Sequence, residues 1–184
     1  MRLKERVAIV TGAGGGLGGA YAAAIAREGG RVAVVDVDGQ GAEATATRLA
    51  ASGATALAVQ CDLAEEEQVA RMVDRVLAEF GRIDIVVNNA GGSPPGGTGD
   101  IEKIDRGHWD ATLAMNLTTA MLVCKAVAPH LKRQGSGKIV NVSSRSARAR
   151  AGSAPCPRST SPPRPGSSAS RGTWPGTWGP SGST

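Results

Sequence analysis

From Arg145 to Thr184 the sequence has no Leu, Ile, Val, Met, Phe or Tyr and no acidic residue. Gly, Pro and Ser fill 22 of these 40 positions, and such a stretch buries too little apolar surface to offset the entropy of ordering it. The expected organisation is a domain at 1–144 followed by a disordered tail at 145–184. Other scarcities exclude further classes. The three cysteines, Cys61, Cys124 and Cys156, are widely spaced, so neither a disulfide framework nor a zinc site is indicated and no metal is expected. Free thiols suit a reducing, cytoplasmic compartment. The start, Met1–Arg6, leads into an apolar run too short for a signal peptide or a membrane span, so no membrane partner is expected.

The formal charge of +5 divides unevenly. Residues 1–144 hold 15 Lys and Arg against 16 Asp and Glu, whereas the tail holds six Arg. The basic excess therefore belongs to the tail. That tail lacks the aromatic interleaving used to bind single strands, and no nucleic acid is expected as a partner.

What is present is a repeated alternation. Val7–Val10 is a short apolar run that breaks into glycines and continues as an Ala-rich helix over about Leu17–Arg27. Arg31–Asp36 reads as a second strand, 42–51 as a helix, and Ala54–Gln60 as a third strand. Asp62-Leu63-Ala64-Glu65 has the form of a helix start, and Val69, Met72, Val73, Val76 and Leu77 follow at helical spacing. Ile83–Val87 reads as a fourth strand, Trp109–Lys132 as a long helix and Lys138–Val142 as a fifth strand. Strands alternating with helices of this length imply an α/β fold, a doubly wound parallel sheet, ending after the fifth strand. Its ligand should lie beyond the carboxyl ends of the strands, where Gly12, Asp36, Asp62, Asn88 and Ser144 fall.

The first turn reads Thr11-Gly12-Ala13-Gly14-Gly15-Gly16-Leu17-Gly18-Gly19. Glycines here allow a sharp turn, close approach to a pyrophosphate, and a helix N-terminus aimed at it. Two registers are open, since Gly14, Gly16 and Gly19 also satisfy G-x-G-x-x-G, and a purely structural turn would use glycines too. Asp36 ends the second strand 18 residues after Gly18, where a carboxylate can accept hydrogen bonds from both ribose hydroxyls. A 2′-phosphate there would meet like charge, and no Arg follows Asp36 or stands in the glycine turn. The pattern therefore favours NAD over NADP.

Thr11-Gly12-x-x-x-Gly16-x-Gly18, the Cys61-Asp62-Leu63 corner, Asn88-Asn89-Ala90-Gly91, Met115-Asn116-Leu117 and Ile139–Ser144 resemble, in order and spacing, the short-chain dehydrogenase/reductase family, a Rossmann-fold group. The resemblance covers residues 1 to about 146. It selects the register of Gly12, Gly16 and Gly18 and implies that Gly12, Gly15, Gly16, Leu17 and Gly18 face the cofactor's phosphates. Asp62 and Leu63 would contact the adenine, and Asn89, Ala90 and Gly91 would line the cofactor groove. Asn116 matches the asparagine that kinks the long helix and holds a relay water, and Ser144 the serine that polarises the reacting oxygen. The implied activity is hydride transfer between a secondary alcohol or ketone, a small-molecule substrate, and NAD.

The resemblance next requires a Tyr and, four residues later, a Lys, which exchange the substrate's proton. This chain has a single tyrosine, Tyr21, and its last lysine is Lys138. Cys156, Pro157, Arg158 and Ser159 stand where the pair should begin. Pro, Arg, Gly, Ser, Ala and Trp are what GC-rich DNA encodes out of frame. Ser159–Arg164 written as TCT ACG TCG CCT CCA AGG regroups to TAC GTC GCC TCC AAG, or Tyr-Val-Ala-Ser-Lys. A frameshift between about Arg145 and Pro157 is therefore expected, with a non-catalytic nucleotide-binding remnant as the alternative to an active enzyme. The resemblance implies a homo-oligomer in which a later helix pairs with the Trp109–Lys132 helix across a subunit interface. The tail does not supply that later helix, so no tetramer is expected of this chain.

Overall fold

The computed structural model describes residues 1–96 and 101–143. The expected tail and Ser144 lie outside the described residues. Five strands, β1 (Val7–Thr11), β2 (Arg31–Asp36), β3 (Ala56–Gln60), β4 (Ile85–Asn88) and β5 (Lys138–Asn141), form one sheet in the order β3-β2-β1-β4-β5. Every neighbouring pair is parallel. The helices between them are α1 (Gly16–Arg27), α2 (Gly39–Ala51), α3 (Glu66–Phe80), α4 (Arg106–Leu113) and α5 (Thr119–Gln134). The order reverses at β1: the chain builds outward to β3, then returns to β4 on the other side. That switch leaves a crevice between the ends of β1 and β4.

Strand alternation divides the core in two. Val7, Ile9, Ala33, Val35, Val59 and Val86 face α3 and α5, meeting Val69, Met72, Val73 and Val76 from one and Leu122, Val123 and Val127 from the other. Val10, Val32, Val34 and Val87 face α1 and α2, where Ala22, Ala26, Ala42 and Ala46 bring the helix backbones close to the sheet. A central strand covered on both faces must be apolar on both, and β1 is buried along its whole length.

The boundaries differ from the sequence reading where a polar group closes or opens an element. The second helix starts at Gly39 because the Asp38 Oδ1 accepts from the Gln40 N–H at 3.1 Å, capping it. The third strand starts at Ala56, two residues late, since the Ala54 N–H donates to the Leu49 carbonyl to finish α2. The expected helix start at Asp62 is not one. Asp62 Oδ1 accepts from the Ala64 N–H at 2.9 Å in a local turn, the Asp62 N–H donates to Gln68 Oε1 at 3.0 Å, and α3 begins at Glu66. The fourth strand begins at Ile85 because Ile83 and Asp84 belong to its approach.

Asp84 closes the amino end of the sheet, opposite the crevice. Its carboxylate accepts from Arg82 Nε and Nη2 at 2.8 and 2.7 Å, from Arg6 Nη1 at 2.8 Å and from the Val7 N–H at 3.0 Å. Burial pushes this carboxyl's pKa up, but the bonds from Arg82, Val7 and Arg6 together hold it below its ordinary value.

The long helix expected at Trp109–Lys132 runs from Arg106 to Gln134 and changes pitch. Asp105 caps its start through the His108 N–H, residues Ala114–Thr118 form a π-helical segment between α4 and α5, and Gly135, at φ 71°, ends it. By length and composition this run would be able to cross a membrane. Here Leu122, Val123 and Val127 pack it against the sheet.

Candidate cofactor site

The carboxyl end of β1 turns directly into α1 through the glycines. Gly12, at φ 63°, lies so close to the segment after β4 that a Cβ on it would stand 2.9 Å from Ala90 Cα. A Cβ on Gly18 would overlap the Gly12 carbonyl oxygen. Gly19, in contrast, would meet nothing nearer than 3.6 Å. The space therefore demands glycine at positions 12 and 18, while position 19 would accept a side chain. Gly15 has nothing within 4 Å of the point where a Cβ would sit, so the backbone there faces open space. The first turn of α1 carries neither an acidic residue nor a side-chain cap. Its leading N–H groups, which no helix satisfies internally, point toward the crevice as a partial positive charge.

β4 is tied to this turn by side chains. Thr11 Oγ1 accepts from the Asn89 and Ala90 N–H groups, both at 3.0 Å, and donates to the Val87 carbonyl at 3.3 Å. Asn89 Nδ2 donates back to the Thr11 and Gly12 carbonyls at 3.0 and 3.2 Å. Asp36, at the end of β2, accepts from the Gly14 N–H at 2.7 Å through Oδ2 and from the Asp38 N–H at 3.0 Å through Oδ1. Each oxygen keeps a further lone pair for a ligand hydroxyl.

These elements enclose a cleft of about 710 Å³ lined in part by Gly12, Gly15, Asp36, Asp62, Leu63, Asn89, Ala90 and Gly91. Eight residues singled out from the sequence thus meet in one place. Cys61 and Leu63 are buried beside it. Burial and then the neighbouring Asp62 charge push the Cys61 thiol up to about 11, which keeps it a neutral apolar wall.

The remaining expected residues fall elsewhere. Gly16 and Gly18 lie in the first turn of α1 and do not line the cleft. Leu17 and Asn116 line an adjoining cleft of about 1040 Å³ together with Asn88, Cys124, Asn141 and Ser143. Asn116 lies in the π-helical segment. Its Nδ2 donates to the Gly92 carbonyl at 2.7 Å and the Thr112 carbonyl at 2.9 Å, and its Oδ1 accepts from the Gly92 N–H at 3.0 Å. The carboxamide thus clasps the loop after β4. Among the described residues no group of His, Cys, Asp and Glu could hold a metal ion.

Sequence reasoning gave no role to Val37 or Thr119, which line the cleft, nor to Thr11 and Met115, which it quoted only as motif members. Thr11 carried one usable signal, a hydroxyl at a strand end beside glycine. Its partners lie 78 and 79 residues away, however, and no local pattern points to them.

Residues 6–156 match the family model for short chain dehydrogenases. The chain belongs to the short-chain dehydrogenase/reductase family. A D-threitol dehydrogenase of Mycolicibacterium smegmatis is 42% identical over 146 residues, covering 79% of this chain and 55% of that relative. Among solved structures, an NAD⁺-bound xylitol dehydrogenase superposes with a TM-score of 0.76 at 33% identity, covering 80% of this chain and 56% of the other. A metagenomic short-chain oxidoreductase in complex with NADP gives 0.72 at 35% identity, covering 78% and 64%. The chain spans about half the length of the curated relatives it matches. In the family's terms, the observed architecture is a Rossmann-type parallel sheet.

Proposed function

We propose that the cleft binds a nicotinamide adenine dinucleotide, NAD in preference to NADP, in a cytoplasmic protein of oxidoreductase ancestry whose intact form interconverts a secondary alcohol and a ketone. The observation that carries this reading is the convergence of the glycine turn, Asp36, the Asp62–Leu63 corner and Asn89–Gly91 on one cleft at the sheet's switch point. The residues fit the group. Gly15 leaves the backbone open to a pyrophosphate, the uncapped α1 N-terminus favours its charge, and Asp36 retains lone pairs for two ribose hydroxyls. Asp62 and Leu63 would flank the adenine, with Asn89, Ala90 and Gly91 along the groove wall. The NADP-bound and NAD⁺-bound relatives support the cofactor class. The Asp36 carboxylate supports the choice of NAD, because a 2′-phosphate would sit against a fixed negative charge.

When bound, the nicotinamide supplies a hydride acceptor and donor. In this reading Ser144 would hold the substrate oxygen, and Asn116 would fix the helix pitch and the Gly92 loop beside it. Proton exchange falls to a Tyr and Lys pair, and one observation favours a binding-only role for this chain: Cys156, Pro157, Arg158 and Ser159 stand where that pair is due to begin. Parallel titration with NADH and NADPH, followed by incubation of the same protein with NAD and a panel of secondary alcohols, tests both parts. Tighter NADH binding without NADH production from the alcohols is expected. Preference for NADPH would overturn the cofactor assignment, and alcohol-dependent NADH production would overturn the binding-only role.

A further inference from the structure

The buried stripe of α2 is Ala42, Thr45, Ala46 and Leu49, and Thr45, only 1% exposed, is its one polar member. A threonine inside a helix ordinarily returns its hydroxyl to its own helix, to the carbonyl one turn back. Thr45 instead donates out of the helix, to the Gly14 carbonyl at 3.1 Å. Arg48, one turn on, donates Nη2 to the same hydroxyl oxygen at 2.9 Å. That guanidinium occupies one of the oxygen's two lone pairs, leaves the hydroxyl hydrogen directed at Gly14, and strengthens its donation.

Gly14 is followed by Gly15 and Gly16, three residues without a Cβ, the arrangement with the most backbone freedom to lose. The structure removes that freedom from outside. The Ala13 N–H donates to the Val35 carbonyl at 3.1 Å, the Gly14 N–H to Asp36, and the Gly14 carbonyl accepts from Thr45. The two peptide planes that flank Gly14 are therefore held by different elements, one by the end of β2 and one by α2, so both dihedrals of Gly14 are fixed before a ligand arrives.

We propose that Thr45, oriented by Arg48, is a positioning residue that sets the glycine turn for a dinucleotide's pyrophosphate. It touches no ligand itself. The inference rests on the dinucleotide reading of the cleft. Without the hydroxyl, the Gly14 carbonyl loses its partner and the Gly14–Gly15 peptide is free to rotate, so binding must order the turn first and affinity falls.

Thr45→Val keeps the shape and removes the hydroxyl; Thr45→Ser keeps the hydroxyl and removes the methyl. We expect Thr45→Val to bind NADH about fivefold more weakly, Thr45→Ser to bind as the parent does, and amide exchange at Gly14 and Gly15 in the ligand-free protein to speed up in the Val variant alone. A packing role for Thr45 predicts the reverse order. Arg48→Met, on an exposed side chain, should weaken binding in the same direction and serves if Thr45→Val does not fold. Equal NADH affinity in the Val variant and the parent, or a Ser variant as weak as the Val variant, would overturn the proposal. If the parent itself fails to bind NADH, the dinucleotide reading fails. The exchange rates then still decide whether Thr45 orders the turn, and unchanged rates in the Val variant would overturn that as well.

Discussion

At the scale of single residues, the site depends on where a side chain is forbidden. Gly18 is the strictest case. A Cβ there overlaps the Gly12 carbonyl oxygen and stands 2.7 Å from Asn89 Nδ2, so Gly18→Ala must push β1 away from α1 or break the Asn89 bridge. The substitution should destabilise the fold by about 2 kcal/mol and abolish NADH binding, as thermal unfolding and fluorescence titration would show. Gly19→Ala, whose Cβ meets only open contacts, should leave both measurements close to the parent's and is the matched control. The contrast also separates the two registers that the glycine-rich run left open. The family resemblance selects Gly18 by spacing, and the Gly12 carbonyl and Asn89 Nδ2 supply the physical reason, since a Cβ at Gly18 would meet both and one at Gly19 neither.

At the scale of elements, two joints fix where the cleft's walls stand. The first is the π-helical segment, Ala114–Thr118, where one extra residue per turn frees carbonyls that Asn116 and Thr119 help to satisfy. Asn116→Ala removes three hydrogen bonds, two of them to Gly92. It should speed amide exchange at Gly92 and lower stability by about 1–2 kcal/mol, while leaving α5 packed through Leu122, Val123 and Val127. The second joint is Asp84, which ties β4 to β1 from the amino end. Its folded pKa lies below the ordinary value of 3.8. Its contribution to stability is thus fully present above that ordinary value and is lost as pH falls through the folded one. Asp84→Asn should cost about 2 kcal/mol near neutrality and flatten the acid limb of a stability-against-pH curve. A parallel acid limb in the variant would show that other carboxylates carry the effect.

At the scale of the whole molecule, the sheet and its switch point were legible because the physics is periodic and local. Valine-rich strands alternating with helices leave few topologies once crossovers are right-handed. The cleft's floor was legible for the same reason: Gly12, Asp36, Asp62 and Asn89 are strand-end residues, and a parallel sheet sends every strand end to one edge. What escaped the sequence were contacts closed over long separations. Thr11 serves amides 78 and 79 residues on, and Thr45 reaches back 31 residues to Gly14. Asp62 misled because an aspartate followed three residues later by a glutamate reads as a cap, while its carboxylate is used in a tighter local turn. Ser144, the expected tail and the frameshift all fall outside the described residues.

If this chain, as it stands, presents a formed nicotinamide dinucleotide site, it should bind NADH saturably. Titrating the purified protein with NADH, following nicotinamide fluorescence and then adding NAD, tests it most directly. Saturable fluorescence change at one site per chain, reversed by excess NAD and absent in Gly18→Ala, is the predicted result. A response that grows linearly without saturation, or one that survives Gly18→Ala unchanged, would contradict it.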